Sequence, residues 1–418
     1  MKNLLLISAI VLTYGFTNAQ QWEPVGGGLN GQVHSLEIFD GMLAASGNFT
    51  LADGNPAFYV AFWDGYSWAG ISDSIGFVYD LLVKDDTLFC STDQGIWFLE
   101  NQQWMQYLSF GGSYFNSIMG LYNDEIYIYF SVMMNLFKIQ NHSMVHIEFL
   151  DGGVSSMVTY NDTLYFSGCF TGADTINSPH IIAYDGSQFH ATGQGIWEYG
   201  FVQSLAVYDG LLYIGGDITV SHGDPGNYLI TWDGQQLAPV ASEPTGIVSM
   251  LTVIDNKLFM GGDFATVGSS TTGNLAMYDG NNWSGAGIFN DPWYLVSAEM
   301  NDVVYVAGNF TTVDGDSISY IAKNSGLTRA WHVPAENPTA VFAPNPFSGK
   351  SCLQIPTSRT DNCSYSLSIL SPAGTCVFNA AGLTSGDNII NPGLENGIYL
   401  YRLKGSDGST QTGKIIIQ

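Results

Sequence analysis

The chain has 418 residues, enough for two ordinary domains with sizeable cores, and its 46% hydrophobic and 14% aromatic content describes a folded protein. Its formal charge of −26, from 37 acidic against 11 basic side chains, sets aside nucleic acid and anionic membrane as partners, because both require a basic patch. Such a surface tolerates cations, neutral sugars and basic partners.

Residues 1–19 read as an export signal. Lys2 supplies the basic start, residues 4–11 the apolar run, and Thr17, Asn18 and Ala19 the small residues of a cleavage site. The mature chain then begins at Gln20 and leaves the cytoplasm. No later segment approaches ~20 apolar residues, so no transmembrane segment is expected in it.

From residue 40 onward one frame recurs: an apolar run ending in Gly-Gly-Asp or a variant, a loop, then a second apolar run closed by an aromatic residue and Asp-Gly. Aligning the residue after the Gly pair gives Asn48, Ser91, Tyr129, Cys169, Asp217, Asp263 and Asn309, spaced by 38 to 48 residues. Each unit holds four strand-like runs. In the fifth they cover residues 201–208, 211–217, 228–232 and 237–240, with Asp209-Gly210 joining the first two and Asp233-Gly234 the last two. Such pairs suit two-residue hairpins, which need positive φ. A repeated four-stranded antiparallel meander of about 40–45 residues is the size of a propeller blade, and seven units imply seven blades. Residues 22–26 match the fourth-strand position of other units, whereas the seventh unit lacks its own, so this segment is expected to close the ring as an outer strand.

The Gly pair, the aromatic-Asp and the Trp opening the fourth strand resemble the Kelch-like propellers, over residues 21 to about 330. Units two and three depart from that pattern, and the family's Arg-containing turns are missing, so the resemblance implies a fold and not a function.

In such a meander the second-to-third loops and the connections between units share one rim, which here holds all the long, variable loops. Binding residues sit on variable loops displayed by a rigid scaffold. The candidate ligand-binding residues are therefore Asp53, Asp174, Trp197, Tyr199, His222, Asp224, Trp293 and Asp314, with Asp316 beside them. Exposed Trp and Tyr suit stacking on a sugar ring or a protein side chain, and carboxylates with loop carbonyls suit Ca²⁺, although no loop has the spacing of a calcium motif. No other cofactor is implied, and no catalytic residue is assigned. The Ser91 to Phe98 segment resembles an Asp-box but occurs once, which makes it a tight turn. The five cysteines share no metal-ligand spacing; Cys352, Cys363 and Cys376 permit one disulfide, with the pairing open.

After a Pro- and Ala-rich linker at 333–340, residues 341–418 describe a small Ig-like β-sandwich with alternating apolar residues. Pro344, Asn345 and Pro346, the Pro372-Ala373-Gly374 turn, Asn396, Gly397 and Tyr399, and Lys414 in the terminal strand resemble the type A C-terminal sorting domain of the type IX secretion system of Bacteroidetes-type bacteria. That resemblance implies recognition by the outer-membrane translocon and its sorting protease or transferase. It also implies passage through the periplasm and release or anchoring at the outer-membrane surface. In such bacteria Asp followed by Ser or Thr and an apolar residue accepts O-glycans, which makes Ser74, Thr87, Thr163, Thr175 and Ser317 candidates, Thr175 and Ser317 being the best exposed.

The expectation is an all-β chain: signal at 1–19, a seven-bladed β-propeller of four-stranded antiparallel blades at 20–332, and the sorting sandwich at 341–418. It would act as a non-enzymatic module binding an extracellular glycan or protein. A carbohydrate-active enzyme using rim carboxylates and a structural surface spacer are the alternatives.

Overall fold

The computed structural model describes residues 22–71, 75–110, 116–196, 201–219 and 225–327, and, nearer the C-terminus, 341–343, 350–355, 364–371, 376–384, 386–405 and 410–417. The chain divides into two compact units, Met1–Arg329 and Ala330–Gln418. Among the described residues no helix is long and apolar enough to cross a membrane.

The described residues of the first unit form seven four-stranded antiparallel sheets, here I to VII. Their first strands are Val33–Phe39, Val78–Lys84, Ser117–Tyr122, Val154–Tyr160, Val202–Tyr208, Val248–Ile254 and Val296–Met300. Each first strand packs on the first strand of the next sheet, and that of sheet VII packs on that of sheet I, so the sheets close into a ring. A closed ring of consecutive four-stranded meanders is a β-propeller.

Turn chemistry sets the strand boundaries. All seven first hairpins are two-residue turns with both residues at positive φ: Asp40-Gly41, Asp85-Asp86, Asn123-Asp124, Asn161-Asp162, Asp209-Gly210, Asp255-Asn256 and Asn301-Asp302. Asp, Asn and Gly bear this conformation best, and its twist matches that of the strands. The aromatic-Asp-Gly turns differ from the expected two-residue form. Trp232 pairs with Leu237 across a four-residue loop in which Asp233 accepts the N–H groups of Gln235 and Gln236 at 2.7 and 2.8 Å. Asp64, Asp185 and Asp279 repeat this. These bonds, led at Asp185 by the Ser187 hydroxyl, hold all four carboxyls below the usual range. The aromatic residue before the Asp packs on another sheet: the indole N–H of Trp63 donates to the Tyr305 hydroxyl at 3.2 Å and that of Trp232 to the Tyr165 hydroxyl at 3.0 Å.

The Gly pair also has a specific cause. A Cβ on Gly47, Gly168, Gly216 or Gly262, the last residues of their second strands, would lie 1.9 to 2.3 Å from the carbonyl oxygen of Gln32, Gly153, Phe201 or Ile247 just ahead of the first strand. Only glycine permits that approach. Sheets II and III carry Thr92 and Phe130 at this position, which corrects the repeat register there: the residues matching Asn48 are Asp93 and Ser131, not Ser91 and Tyr129.

Closure uses the N-terminal segment, as expected. Glu23–Pro24 pairs antiparallel with Ile321–Asn324 as the outer strand of sheet VII, matching Glu23 with Lys323 and Pro24 with Ala322. Trp22 is buried against Phe289, ring centroids 5.2 Å apart, and its indole N–H donates to the Ala286 carbonyl in sheet VI at 2.7 Å. The Val25 carbonyl accepts from the Trp68 indole in sheet I at 2.9 Å. One short segment thus ties sheets VI, VII and I together.

In the second unit a three-stranded sheet (Val341–Ala343, Ser351–Ile355, Gly386–Ile390) and a four-stranded sheet (Cys376–Leu383, Tyr365–Leu370, Gly397–Gly405, Thr410–Ile417) share one core. Leu353 and Ile355 of the first meet Leu367, Ile369, Tyr401, Leu403 and Ile415 of the second. Cys363 lies outside the described residues, as do Pro344, Asn345, Pro346 and the Pro372-Ala373-Gly374 turn.

Replacing Trp22 by Ala removes a fully packed indole from the closure and should cost about 3–5 kcal/mol. Urea unfolding of the purified chain measures this, and a loss under about 1 kcal/mol would contradict the closure described.

Candidate functional site

The second-to-third connections of sheets I, IV and VI fold into small hairpins, Leu51–Ala52 with Asn55–Pro56, Gly172–Ala173 with Ile176–Asn177, and Thr266–Val267 with Ser270–Thr271. Each bridges back to the segment leading into its own sheet, through Leu29 with Ala52, Leu150 with Ala173 and Pro244 with Val267. Phe289 with Val313 does the same in sheet VII. The long loops therefore share one rim with the connections between sheets, as the meander topology requires. The next residue in each lead-in segment caps the hairpin. Asn30 Oδ1 accepts from the Thr50 and Leu51 N–H groups and Asn290 Oδ1 from those of Thr311 and Thr312, all at 2.8 Å. Asp151 and Thr245 repeat the role.

Several of the expected rim residues belong to this scaffold. Asp53 accepts the Gly27 N–H at 2.5 Å and the Trp68 N–H at 2.9 Å, and Asp314 accepts the Ile288 N–H at 2.8 Å. Both sit at positive φ and tether one loop to the next. Asp174 shares their conformation at the tip of its hairpin but stays exposed, beside a cleft of about 270 Å³ that Phe149 and Thr175 also line. Trp197, Tyr199, His222, Asp224 and Ser74 lie outside the described residues. Among the described residues no group of three or more His, Cys, Asp or Glu side chains is placed to hold a metal ion. Thr175 and Ser317 are exposed on the long-loop rim. Thr87 and Thr163 are half-buried beside first-hairpin turns, with hydroxyls donated to the Asp85 and Asn161 carbonyls at 3.3 Å. Asn396 precedes the strand that carries Gly397 and Tyr399, and Lys414 lies opposite Leu400 in the last strand.

Trp293 leads to the main concavity. It borders an axial cavity of about 600 Å³ at the long-loop end of the ring, to which all seven sheets contribute through their first strands or the residues ahead of them. The walls carry Phe77 and Tyr79 from sheet II, Phe201 and Gln203 from sheet V, Trp293 and Tyr294 from sheet VII, and His34 and Asn116 from sheets I and III. Phe77 touches His34, Tyr59 and Tyr79, with centroids 4.9 to 5.7 Å apart.

Local backbone geometry aims these side chains. The first strands of sheets I, II, IV, V and VI begin with Val, then a variable residue, and their register shifts across it: Val33 pairs with Gly47 while Ser35 pairs with Ser46. The bulged residue is His34, Tyr79, Ser155, Gln203 or Ser249, and all five line the cavity. A bulge re-aims one side chain without breaking the sheet. The following position staples neighbouring first strands. Asp80 accepts the Met119 N–H at 2.8 Å, Ser204 that of Leu251 at 2.9 Å, Ser156 that of Leu205 at 3.3 Å and Ser35 that of Leu81 at 3.4 Å. These bonds satisfy N–H groups that the inner edge strands would otherwise leave bare.

The rim signal found Trp293 and missed the rest of this set. A usable signal existed, since Val-x-Ser or Val-x-Asp opens the first strands of sheets I, II, IV and V, with x as the axial residue.

Burial pushes Glu37 up to about 7, aided by the adjacent Asp80 charge, and pushes Asp80 up to about 6 against the hydrogen bonds it accepts. Burial lowers His34, which keeps it neutral near pH 7. The cavity mouth therefore offers aromatic faces, amides, hydroxyls and a neutral imidazole. The Asp80 oxygens accept the Leu81 and Met119 N–H groups at 2.9 and 2.8 Å.

No protein-family model matches the chain. No curated protein matches it either. Among solved structures it is similar to the extracellular domain of a one-component system from B. thetaiotaomicron, at 12% identity over 96% of this chain and 58% of that one, with a TM-score of 0.47. It is also similar to the β-propeller domain of the Trilobed protease from Pyrococcus furiosus, at 10% identity over 71% and 96% of the two chains, TM-score 0.44. BamB from Moraxella catarrhalis aligns at 10% identity over 72% and 92%, TM-score 0.36. The chain spans 58% of the first of these. None of these likenesses assigns a function.

An acid whose folded pKa is raised stabilises the fold below its unfolded value and loses that contribution as pH rises through the folded one. For Glu37 that window runs from about 4.5 to about 7. Thermal unfolding should therefore show a shallower fall in Tm across this range for Glu37→Gln than for wild type, and equal slopes would contradict a raised Glu37 carboxyl.

Proposed function

We propose that the chain is an exported, seven-bladed β-propeller that binds an extracellular ligand, glycan or protein, at the mouth of its axial cavity, without turning it over. The observation that carries this is the convergence of all seven sheets on one concavity lined by aromatic faces and amides. Ligand sites are concave, mostly apolar and supplied with a few fixed polar groups. A surface spacer would have no use for five bulges that turn variable residues toward one axis. The enzyme alternative has the weaker support, because both oxygens of Asp53 and one of Asp314 accept backbone N–H groups.

In this reading residues 1–19 are removed on export and the C-terminal unit is a type IX sorting module, read by the translocon and its sorting protease or transferase. The Asn396-Gly397-Ile398-Tyr399 segment, which opens a strand between two partners in the four-stranded sheet, supports this, as does Lys414 in the edge strand beside it. The Gly pair and aromatic-Asp turns keep the likeness to Kelch-type blades, and the exposed Thr175 and Ser317 are the favoured O-glycan acceptors.

Arrays of extracellular glycans and proteins, probed with wild type and with a Phe77→Ala, Trp293→Ala, Tyr294→Ala variant, test the binding reading. Retention by wild type and loss by the variant, with the ligand unchanged, is the expected result. Hydrolysis or elimination would instead make the protein an enzyme, and no retention by either would leave a spacer. Separately, deleting residues 341–418 should hold the propeller in the periplasm, and normal surface delivery of the truncated chain would contradict the sorting reading.

A further inference from the structure

We infer that the axial cavity selects an uncharged saccharide, an inference that rests on reading the cavity as the binding site and names its ligand class. Three features of the cavity point there.

The first is charge. The described lysines of the propeller unit pair with acids, Lys84 with Asp85 and Asp124, Lys138 with Glu125, Lys257 with Asp255 and Lys323 with Glu23, and no Lys or Arg lines the cavity. A carboxylated or sulfated ligand would lose its hydration there with no cation to meet it, inside a chain of formal charge −26. A cationic ligand would meet one acid among the described lining residues, Asp80, which already accepts two backbone N–H groups.

The second is the inner strand edges. An extended peptide binds a sheet edge through bare N–H and C=O groups. Here N–H groups of the inner strands are stapled by Ser35, Asp80, Ser156 and Ser204 of neighbouring sheets, which removes that mode along four of the interfaces.

The third is the surface that remains. Phe201, Trp293 and Tyr294 stand 41%, 39% and 68% exposed from sheets V and VII, and Gln203 and Asn116 present amides beside them. A sugar ring answers all three features: its C–H faces stack on aromatic rings and its hydroxyls both donate to and accept from amides.

Isothermal titration of the full-length exported protein tests this with three sets of probes. Cellohexaose, xylohexaose, mannohexaose and laminarihexaose are neutral, hexagalacturonate and a heparin hexasaccharide are anionic, and hexalysine is cationic. At least one neutral probe should bind, with a Kd that moves less than about twofold between low and high salt, because no ion pair is screened. Tyr294→Ala and Phe201→Ala should each weaken it about tenfold. Both side chains are partly exposed, so the fold should survive, and an unchanged unfolding midpoint checks that it does. Binding by a charged probe alone, lost in the same variants, would overturn the saccharide assignment while leaving the cavity as a binding site. Saturable binding of none of the probes, or neutral binding that both variants keep, would overturn the assignment together with its location.

Discussion

The arrangement rests on a two-residue pairing. Glu23–Pro24 lies along the outer edge of Ile321–Asn324 and gives sheet VII its fourth strand from the opposite end of the ring. Trp22 and Val25 on either side of that strand are anchored in sheets VI and I. Few hydrogen bonds are involved, and they add to the core that Leu36, Leu43 and Trp63 of sheet I share with Met300, Tyr305 and Ile321 of sheet VII. An open ring would move Trp293 and Tyr294 away from His34 and Phe77, and the cavity exists only where those walls face each other.

Inward from the closure, one backbone device recurs around the ring. Glycine at the end of a second strand lets the carbonyl ahead of the first strand come within about 2 Å of where a Cβ would be. Next to that approach the register slips by one residue, and the surplus side chain turns to the axis. The same few positions thus hold the structural and the variable parts of the repeat. Glycine and valine keep the sheet, while His34, Tyr79, Ser155, Gln203 and Ser249 differ from copy to copy, and the Ser155 and Ser249 hydroxyls donate to the Val202 and Pro292 carbonyls at the next sheet at 2.5 and 2.8 Å.

Much of the fold was legible, because repetition makes each unit a check on the others. The hairpin pairs Asp209-Gly210 and Asp255-Asn256 announce positive φ, and the unit that lacks a fourth strand points to the N-terminal segment that supplies it. Sheets II and III were misregistered by two residues, because Thr92 and Phe130 replace the glycine that marks the frame. Asp233-Gly234 has the same letters as Asp209-Gly210 but a different loop, since the Asp there caps backbone N–H groups. The site was less legible than the fold. Asp53 and Asp314 have the composition of ligand loops, but tethering of one loop to the next consumes them. Phe77, Tyr79 and Phe201 sit in short apolar runs, where nothing in a single sequence separates an axial aromatic from a core one. The bulge distinguishes Tyr79, and a bulge depends on a pairing between strands, while Phe77 and Phe201 stand just ahead of the strands that begin at Val78 and Val202.

Closure is the claim on which the cavity depends, and a cross-link tests it directly. Glu23 and Lys323 are directly opposed in the outer pairing of sheet VII, at the separation that opposed strands give and a disulfide can bridge. The double variant Glu23→Cys, Lys323→Cys should form that bond on mild oxidation, identified by peptide mass, and should keep the ligand affinity of the wild type. Cysteines that stay reduced in the folded protein, or a cross-link that forms only after unfolding, would contradict the closed ring.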